Sequence, residues 1–210
     1  MKAHSLYNVK AHSLMPRQST EIRREQIAGI VLEIITDHGL ESLSMPGVAS
    51  RLGLVQSALY RHFNNKEEMI AAAMKLAKSR MIGLVLNAVS GKSDAMKALR
   101  SVLASFDEFR KIAVIFPRIV FSLPDGDTLE SRRDSVRQIV EEILSNIENV
   151  ICEGQRIGKI KKSLDPAVVA IQFWGILVTA NLRWHLTGGD FDVESHMNDA
   201  WKFFKNAVAP

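Results

Sequence analysis

From residue 17 onward, apolar residues recur at helical spacing along almost the whole chain. Ile27, Val31, Ile34, Ile35 and His38 fall at i, i+4, i+7, i+8 and i+11, one stripe of a helix that stops at Gly39. Two short helices are expected near 45–52 and 56–62, separated by Gly53. Asn65, with Glu68 three residues on as its reciprocal partner, opens a long helix to about Val89. Ser93 starts another, to about Ile112, and a shorter segment over 113–122 contains Pro117 and ends in the Pro-Asp-Gly turn at 124–126. Asp127 and Glu130 form a second capping box. Behind it Val136, Ile139, Val140, Ile143, Leu144, Ile147, Val150 and Ile151 repeat against a charged face until Gly158. Asp165-Pro166 begins a helix to Leu186, ended by Gly188-Gly189, and Asp192 caps the last one, to about Ala207. No alternating strand pattern occurs, so the fold class is all-α. Residues 1–16 lack either period. Lys-Ala-His-Ser-Leu stands at 2–6 and again at 10–14, and the segment is expected to be a flexible tail or sequence upstream of a start at Met15.

Composition narrows the class without naming a function. The chain has 210 residues, 47% of them hydrophobic, enough for a sizeable core and against a wholly disordered chain. Cys152 stands alone, which excludes a disulfide scaffold or a cysteine-based zinc knuckle, and its place beside the apolar seam of its helix suggests a buried, inert thiol. Gln, Thr, Asn or Arg interrupts the longest apolar stretches before a bilayer is crossed, and Lys10 and His12 interrupt any signal core, so a soluble cytoplasmic protein is expected. The net charge is +4, of which residues 1–66 carry +3. A basic first third suits a polyanion at one end, although a solvated basic face is the commoner origin of so small a bias.

Residues 39–66 carry the chemistry. Ala49 is small enough to let one short helix approach another, and Gly53 permits the positive φ of a tight turn. Val48, Leu52, Leu54 and Leu59 are spaced to share a small core with the stripe of the first helix. This is the pattern of a helix-turn-helix, whose second helix lies in the DNA major groove. Gln56, Ser57 and Arg61 are left facing away from Leu59. Gln pairs bidentately with adenine and Arg with guanine. Ser44, at the start of the first short helix, offers a hydroxyl and free N–H groups to a phosphate, while Tyr60, His62 and Lys66 are placed to grip the backbone. A helical hairpin in which Tyr60 and Phe63 only pack is the alternative.

Over residues 23–69 the sequence resembles the TetR family of bacterial transcriptional regulators. The likeness rests on Arg24 with Ile27, Gly39, Ser44, Val48-Ala49, Gly53-Leu54, Leu59-Tyr60-Arg61-His62-Phe63 and Lys66-Glu67. It implies base contacts by Gln56, Ser57, Ala58 and Arg61, and phosphate contacts by Ser44, Tyr60, His62 and Lys66. One departure is Val55, where the family usually has a capping Ser or Thr. The expected division is a tail over 1–16, a three-helix DNA-binding domain over 17–65 and a helical effector-binding and dimerisation domain over 66–210.

For the C-terminal two-thirds the resemblance implies a ligand-sensing body and a homodimer built mainly from the last two helices. The helix from 166 to 186 is apolar around its whole circumference, which independently asks for burial on two sides. Trp174, Leu177, Ala180, Trp201 and Phe204 are the candidate interface residues, with Gly175 and Ala180 permitting close crossing. Phe106, Phe109, Phe116, Phe121, Phe173 and Trp174, with Met74 and Met81, could line a cavity for an apolar or amphipathic effector, or simply form core. Arg118 or Arg183 could meet an acidic ligand group or reach to solvent, and His185 reads as a surface group at a helix end. Two heads on a dimer imply a (pseudo)palindromic operator. No metal site, cofactor or catalytic constellation is expected, because no phosphate loop, nucleophile elbow or paired His spacing occurs. The remaining rival is a structural or division-control protein on the same scaffold without a small-molecule sensor.

Overall fold

Residues 20–90, 94–120 and 127–210 are described by the computed structural model, and every regular element among them is helical. They are α1 (Thr20–His38), a 3-10 turn (Leu40–Ser42), α2 (Met45–Arg51), α3 (Gln56–Tyr60), α4 (Lys66–Val89), α5 (Ala95–Ala104), α6 (Phe106–Ala113), α7 (Ile115–Val120), α8 (Asp127–Arg156), α9 (Pro166–Leu186) and α10 (Val193–Val208). The tail, Ser93 and the turn at 124–126 lie outside the described residues, as does the side chain of Asp127.

Most expected boundaries hold, and the departures have local causes. His38 leaves the buried stripe of α1 and Leu32 joins it. In the last turn the carbonyls lack helical partners, and that of His38 accepts from the Ser42 hydroxyl at 2.9 Å. Asn65 caps α4 by accepting from the Glu68 amide at 2.9 Å. The reciprocal bond goes one residue further back, since the Glu68 carboxylate accepts from the Asn64 amide at 3.0 Å and its side chain at 2.8 Å. The expected single helix over 93–112 is broken into α5 and α6 at Ser105. Its hydroxyl donates to the Val102 carbonyl at 2.8 Å and its backbone leaves helical geometry at φ −87°, ψ 20°. Asp94 caps α5, accepting from the amides of Met96 and Lys97.

The buried side chains from Ile27 to Val208 form one connected cluster. Helix α4 is its axis, burying Met69, Ile70, Ala73, Met74, Ala77, Met81, Val85 and Ala88 while packing on α1, α5, α6 and α8. Three polar links reinforce this junction. Arg118 of α7 donates to the Ile35 carbonyl at 2.9 Å, near the end of α1, so its guanidinium is tied to the protein's own backbone. Arg132 of α8 donates to both Glu67 oxygens at 2.8 Å, and Lys78 pairs with Glu142 at 2.7 Å. Gly154 lets α8 reach α5, because a Cβ there would stand 2.6 Å from Ile160 Cδ1 and 3.0 Å from Ala95 Cβ.

Helix α9 corrects two expectations. By length and composition it is apolar enough to cross a membrane, contrary to the interruption argument. It lies against the rest of the protomer through Val169, Ala170, Phe173, Leu177 and Ala180. Leu177, Ala180 and Phe204 therefore belong to the protomer's own core, and the two tryptophans also turn inward. Trp174 meets Phe109 edge-on at 5.1 Å, and Trp201 stacks on Phe204 at 6.1 Å. The outward stripe is Val168, Ile171, Val178, Leu182 and Leu186, with Phe203 of α10 also exposed. Cys152 is exposed on α8, also against expectation.

Candidate nucleic-acid interface

The head is built from one capped short helix, a tight turn and a second short helix. Ser44 takes extended geometry before α2 and its hydroxyl accepts from the Gly47 amide at 3.2 Å, with Pro46 in the first turn. Val48 and Ala49 face inward. Gly53 sits at φ +64°, in the region an L side chain avoids. Its amide and that of Leu54 return to Ser50 at 3.0 Å and Ala49 at 2.9 Å. Helix α3 follows, anchored by Leu59 at 0% exposure, and the chain turns into α4 with Phe63 buried beside it.

Anchoring at Leu59 fixes what the rest of α3 presents. Gln56, Ser57 and Arg61 are exposed, Ala58 is half-buried, and Tyr60 is exposed although Phe63 is not. The Gln56 amide nitrogen lies 3.5 Å from the Tyr60 hydroxyl, so it runs along the outer face of the helix. A patch bearing Gln56, Ser57 and Arg61 can present hydrogen-bond donors and acceptors to base edges in a major groove.

The phosphate candidates have more varied surroundings. Ser44 is exposed, but its oxygen already serves as a cap. The half-buried Lys66 ammonium donates to the Leu40 carbonyl at 2.9 Å, which ties α4 to the turn after α1 and leaves two N–H groups for an anion. His62 is half-buried, and its Nδ1 is enclosed without a hydrogen-bond partner. Burial, followed by the positive charges of Arg23, Arg24 and Arg61, holds its pKa below the ordinary histidine value.

Arg24 is a residue whose place the sequence pattern does not reveal. Its guanidinium stands 4.2 Å from the Phe63 ring centroid and donates to the His62 carbonyl. It thus joins α1 to the far end of the reading helix and concentrates positive charge there. Phe63 lies 39 positions away, so no helical period pairs the two.

The aromatic residues expected around an effector are packed on one another. Phe106 and Phe109 lie 6.1 Å apart between ring centroids, and Phe173 meets Phe204 at 5.1 Å; all four are buried. Phe116 is half-buried, and Phe121 lies outside the described residues. Met81 is core, Arg183 stacks on Phe191 at 4.1 Å, and His185 is exposed. A different cleft, of about 580 Å³, opens between α4 and α8. Ile70, Met74 and Ile139 give it apolar walls; Lys75, Lys78 and Arg132 add positive charge, and Glu67 lies at the edge nearest the head. None of the five described aromatic candidates lines it. Met74, one of the expected cavity residues, does line it, while its other walls are mostly not aromatic and come from distant stretches.

Two family models match the chain: the tetR family of bacterial regulatory proteins over residues 32–73, and the tetracyclin repressor-like C-terminal domain over residues 126–200. Together they span more than half of it. The HTH-type transcriptional repressor KstR2 of Mycolicibacterium smegmatis is 24% identical, covering 82% of this chain and 83% of that protein. The nucleoid occlusion factor SlmA of Marinobacter nauticus is 23% identical over 89% of this chain and 95% of its own. Among solved structures, the transcriptional regulator FadR from Bacillus subtilis in complex with stearoyl-CoA has a TM-score of 0.69 at 19% identity, covering 85% of this chain and 96% of that one.

Replacing Gln56 or Arg61 by Ala is expected to weaken binding to a preferred DNA by about 1–3 kcal/mol while leaving binding to random duplex little changed. Competition titrations check it, and equal losses on both DNAs would remove the base-reading role. A phosphate near His62 favours the imidazolium, so its pKa is higher in the complex than in the free protein and binding takes up a proton. Affinity should therefore rise as pH falls from the pKa that His62 has in the complex toward its lower pKa in the free protein. Anisotropy titrations of the wild type and His62→Gln should show that slope only in the wild type; an identical slope in both would assign it to another group.

Proposed function

Because the chain belongs to the tetR family of bacterial regulatory proteins, we propose that it is a cytoplasmic, ligand-responsive repressor that binds a (pseudo)palindromic operator as a homodimer. Residues 17–65 form the DNA-reading part and residues 66–210 the sensing and dimerising part in this reading. The observation that carries it is the exposed row of Gln56, Ser57 and Arg61 on a short helix whose opposite side is locked by Leu59.

Dimerisation is supported by the outer face of α9. Val168, Ile171, Gly175, Val178, Leu182 and Leu186 run along one side at spacings of three and four, and a Cβ on Gly175 would meet nothing within 4 Å. Leu186 and the nearby element's Phe203 are 78% and 79% exposed, too much apolar surface to leave in water without a partner. A second copy offers the same stripe to itself, as a two-fold contact requires. Two heads then reach successive major grooves about 34 Å apart.

The effector in this reading is an amphipathic anion held in the α4–α8 cleft, with its apolar part on Ile70, Met74 and Ile139. Its charge competes with Glu67 for Arg132, and that exchange loosens the hold of the body on the first turn of α4, directly after the Lys66 bond to Leu40. A ligand favouring the loosened arrangement lowers DNA affinity by its differential affinity for the two states. The stearoyl-CoA in the FadR complex supports this chemical class. The likeness to a nucleoid occlusion factor favours a second reading, in which the same DNA-binding dimer works without a small-molecule effector.

Leu182→Asp should give monomers by sedimentation velocity that bind a paired site poorly, because the carboxylate would be buried in the dimer contact. A stable dimer would contradict the assigned face. Stearoyl-CoA added to the protein–operator complex should raise the apparent Kd about tenfold or more, and Met74→Trp, which fills the cleft, should abolish that response. Indifference to acyl-CoA thioesters and long-chain acids, together with binding sites scattered along the chromosome, would favour the second reading.

A further inference from the structure

The most exposed apolar side chain in the reading head is Val55, at 71%. It stands immediately before α3 with extended geometry, φ −74° and ψ 145°, and provides no side-chain cap for the helix. Only its carbonyl is used locally, accepting from the Ala58 amide at 2.9 Å. A Ser or Thr would supply a hydroxyl to a free amide of the first turn. Here a branched hydrocarbon stands in water instead, next to the exposed Gln56 and Ser57 on the leading edge of the helix.

In a major groove the apolar feature on a base edge is the C5-methyl group of thymine. The leading residues of a helix-turn-helix reading helix are the ones that meet base edges. We infer that Val55 is a specificity-determining residue, selecting thymine in each half-site by packing its isopropyl group on the C5-methyl. The inference rests on the DNA-reading role proposed above and adds a hydrophobic contact to the polar contacts of Gln56 and Arg61. The geometry suits it: 71% exposure leaves the isopropyl group free to be covered, whereas the half-buried Ala58 has less surface to offer. The missing cap is a local sacrifice in stability for sequence preference.

The full-length chain is first used to select its preferred duplex from random DNA. Each thymine of one half-site is then replaced singly by deoxyuridine, which deletes the methyl group and keeps the base pairing. One position should lose about fourfold in affinity, the effect of burying one carbon less. Val55→Ala should lose that sensitivity at the same position and keep the response to changes at bases read by Gln56 and Arg61. Val55→Ser should lose it too, while melting no lower than the wild type because the hydroxyl restores a cap. Wild-type indifference to every thymine-to-deoxyuridine exchange would overturn the inference, as would a sensitive position unchanged in both variants. Selection that returns no preferred sequence would overturn the DNA-reading role itself, and this inference with it.

Discussion

The burial of α4 on several sides at once is the constraint from which the rest of the molecule follows. Ala73 and Ala77 keep its surface low where other helices cross it, while Met69, Met74 and Met81 fill the irregular space between them. Because α1 and α8 pack on the same helix, the reading head has no separate core. Its orientation is fixed by the packing that holds the body together. Interiors packed this closely respond to a disturbance by moving whole elements. The Arg118–Ile35 contact joins the body to the end of α1, and the Arg132–Glu67 contact ties α8 to the first turn of α4, directly after the head.

The head was largely legible because its signals are local. A small residue, a glycine at φ +64° and a buried leucine within a dozen positions determine which way α3 faces, and Gln56, Ser57 and Arg61 follow from that. The body was less legible because an all-apolar helix carries no phase. The circumference of α9 indicated two-sided burial, yet nothing in it told which half faces inward. Composition alone thus makes Leu177 and Ala180 interface candidates, whereas the protomer itself buries both. The break at Ser105 is hidden in the sequence for a similar reason. Its cause is one hydroxyl donating to one carbonyl, and the apolar period on either side does not record that. Cys152 and the aliphatic cleft between α4 and α8 depend on contacts between distant stretches, which spacing along one helix does not encode.

Two local rules are broken in and beside α3. Val55 leaves a helix uncapped, and His62 has an enclosed ring nitrogen without a partner among three arginines. Each is unfavourable in the isolated protein; in the proposed complex Val55 would be covered by a thymine methyl and the His62 ring would lie near a phosphate. The outward stripe of α9 follows the same pattern, since apolar surface that is a liability in a lone chain is what a second copy requires.

The central claim is that two such heads, held at a fixed spacing by their bodies, engage one face of duplex DNA. Hydroxyl-radical footprinting of the full-length chain on its preferred duplex tests it most directly. Two protected patches related by two-fold symmetry and centred one helical turn apart, or a whole number of turns, are the expected result. A single patch, or uniform weak protection indistinguishable from that on random DNA, would contradict it.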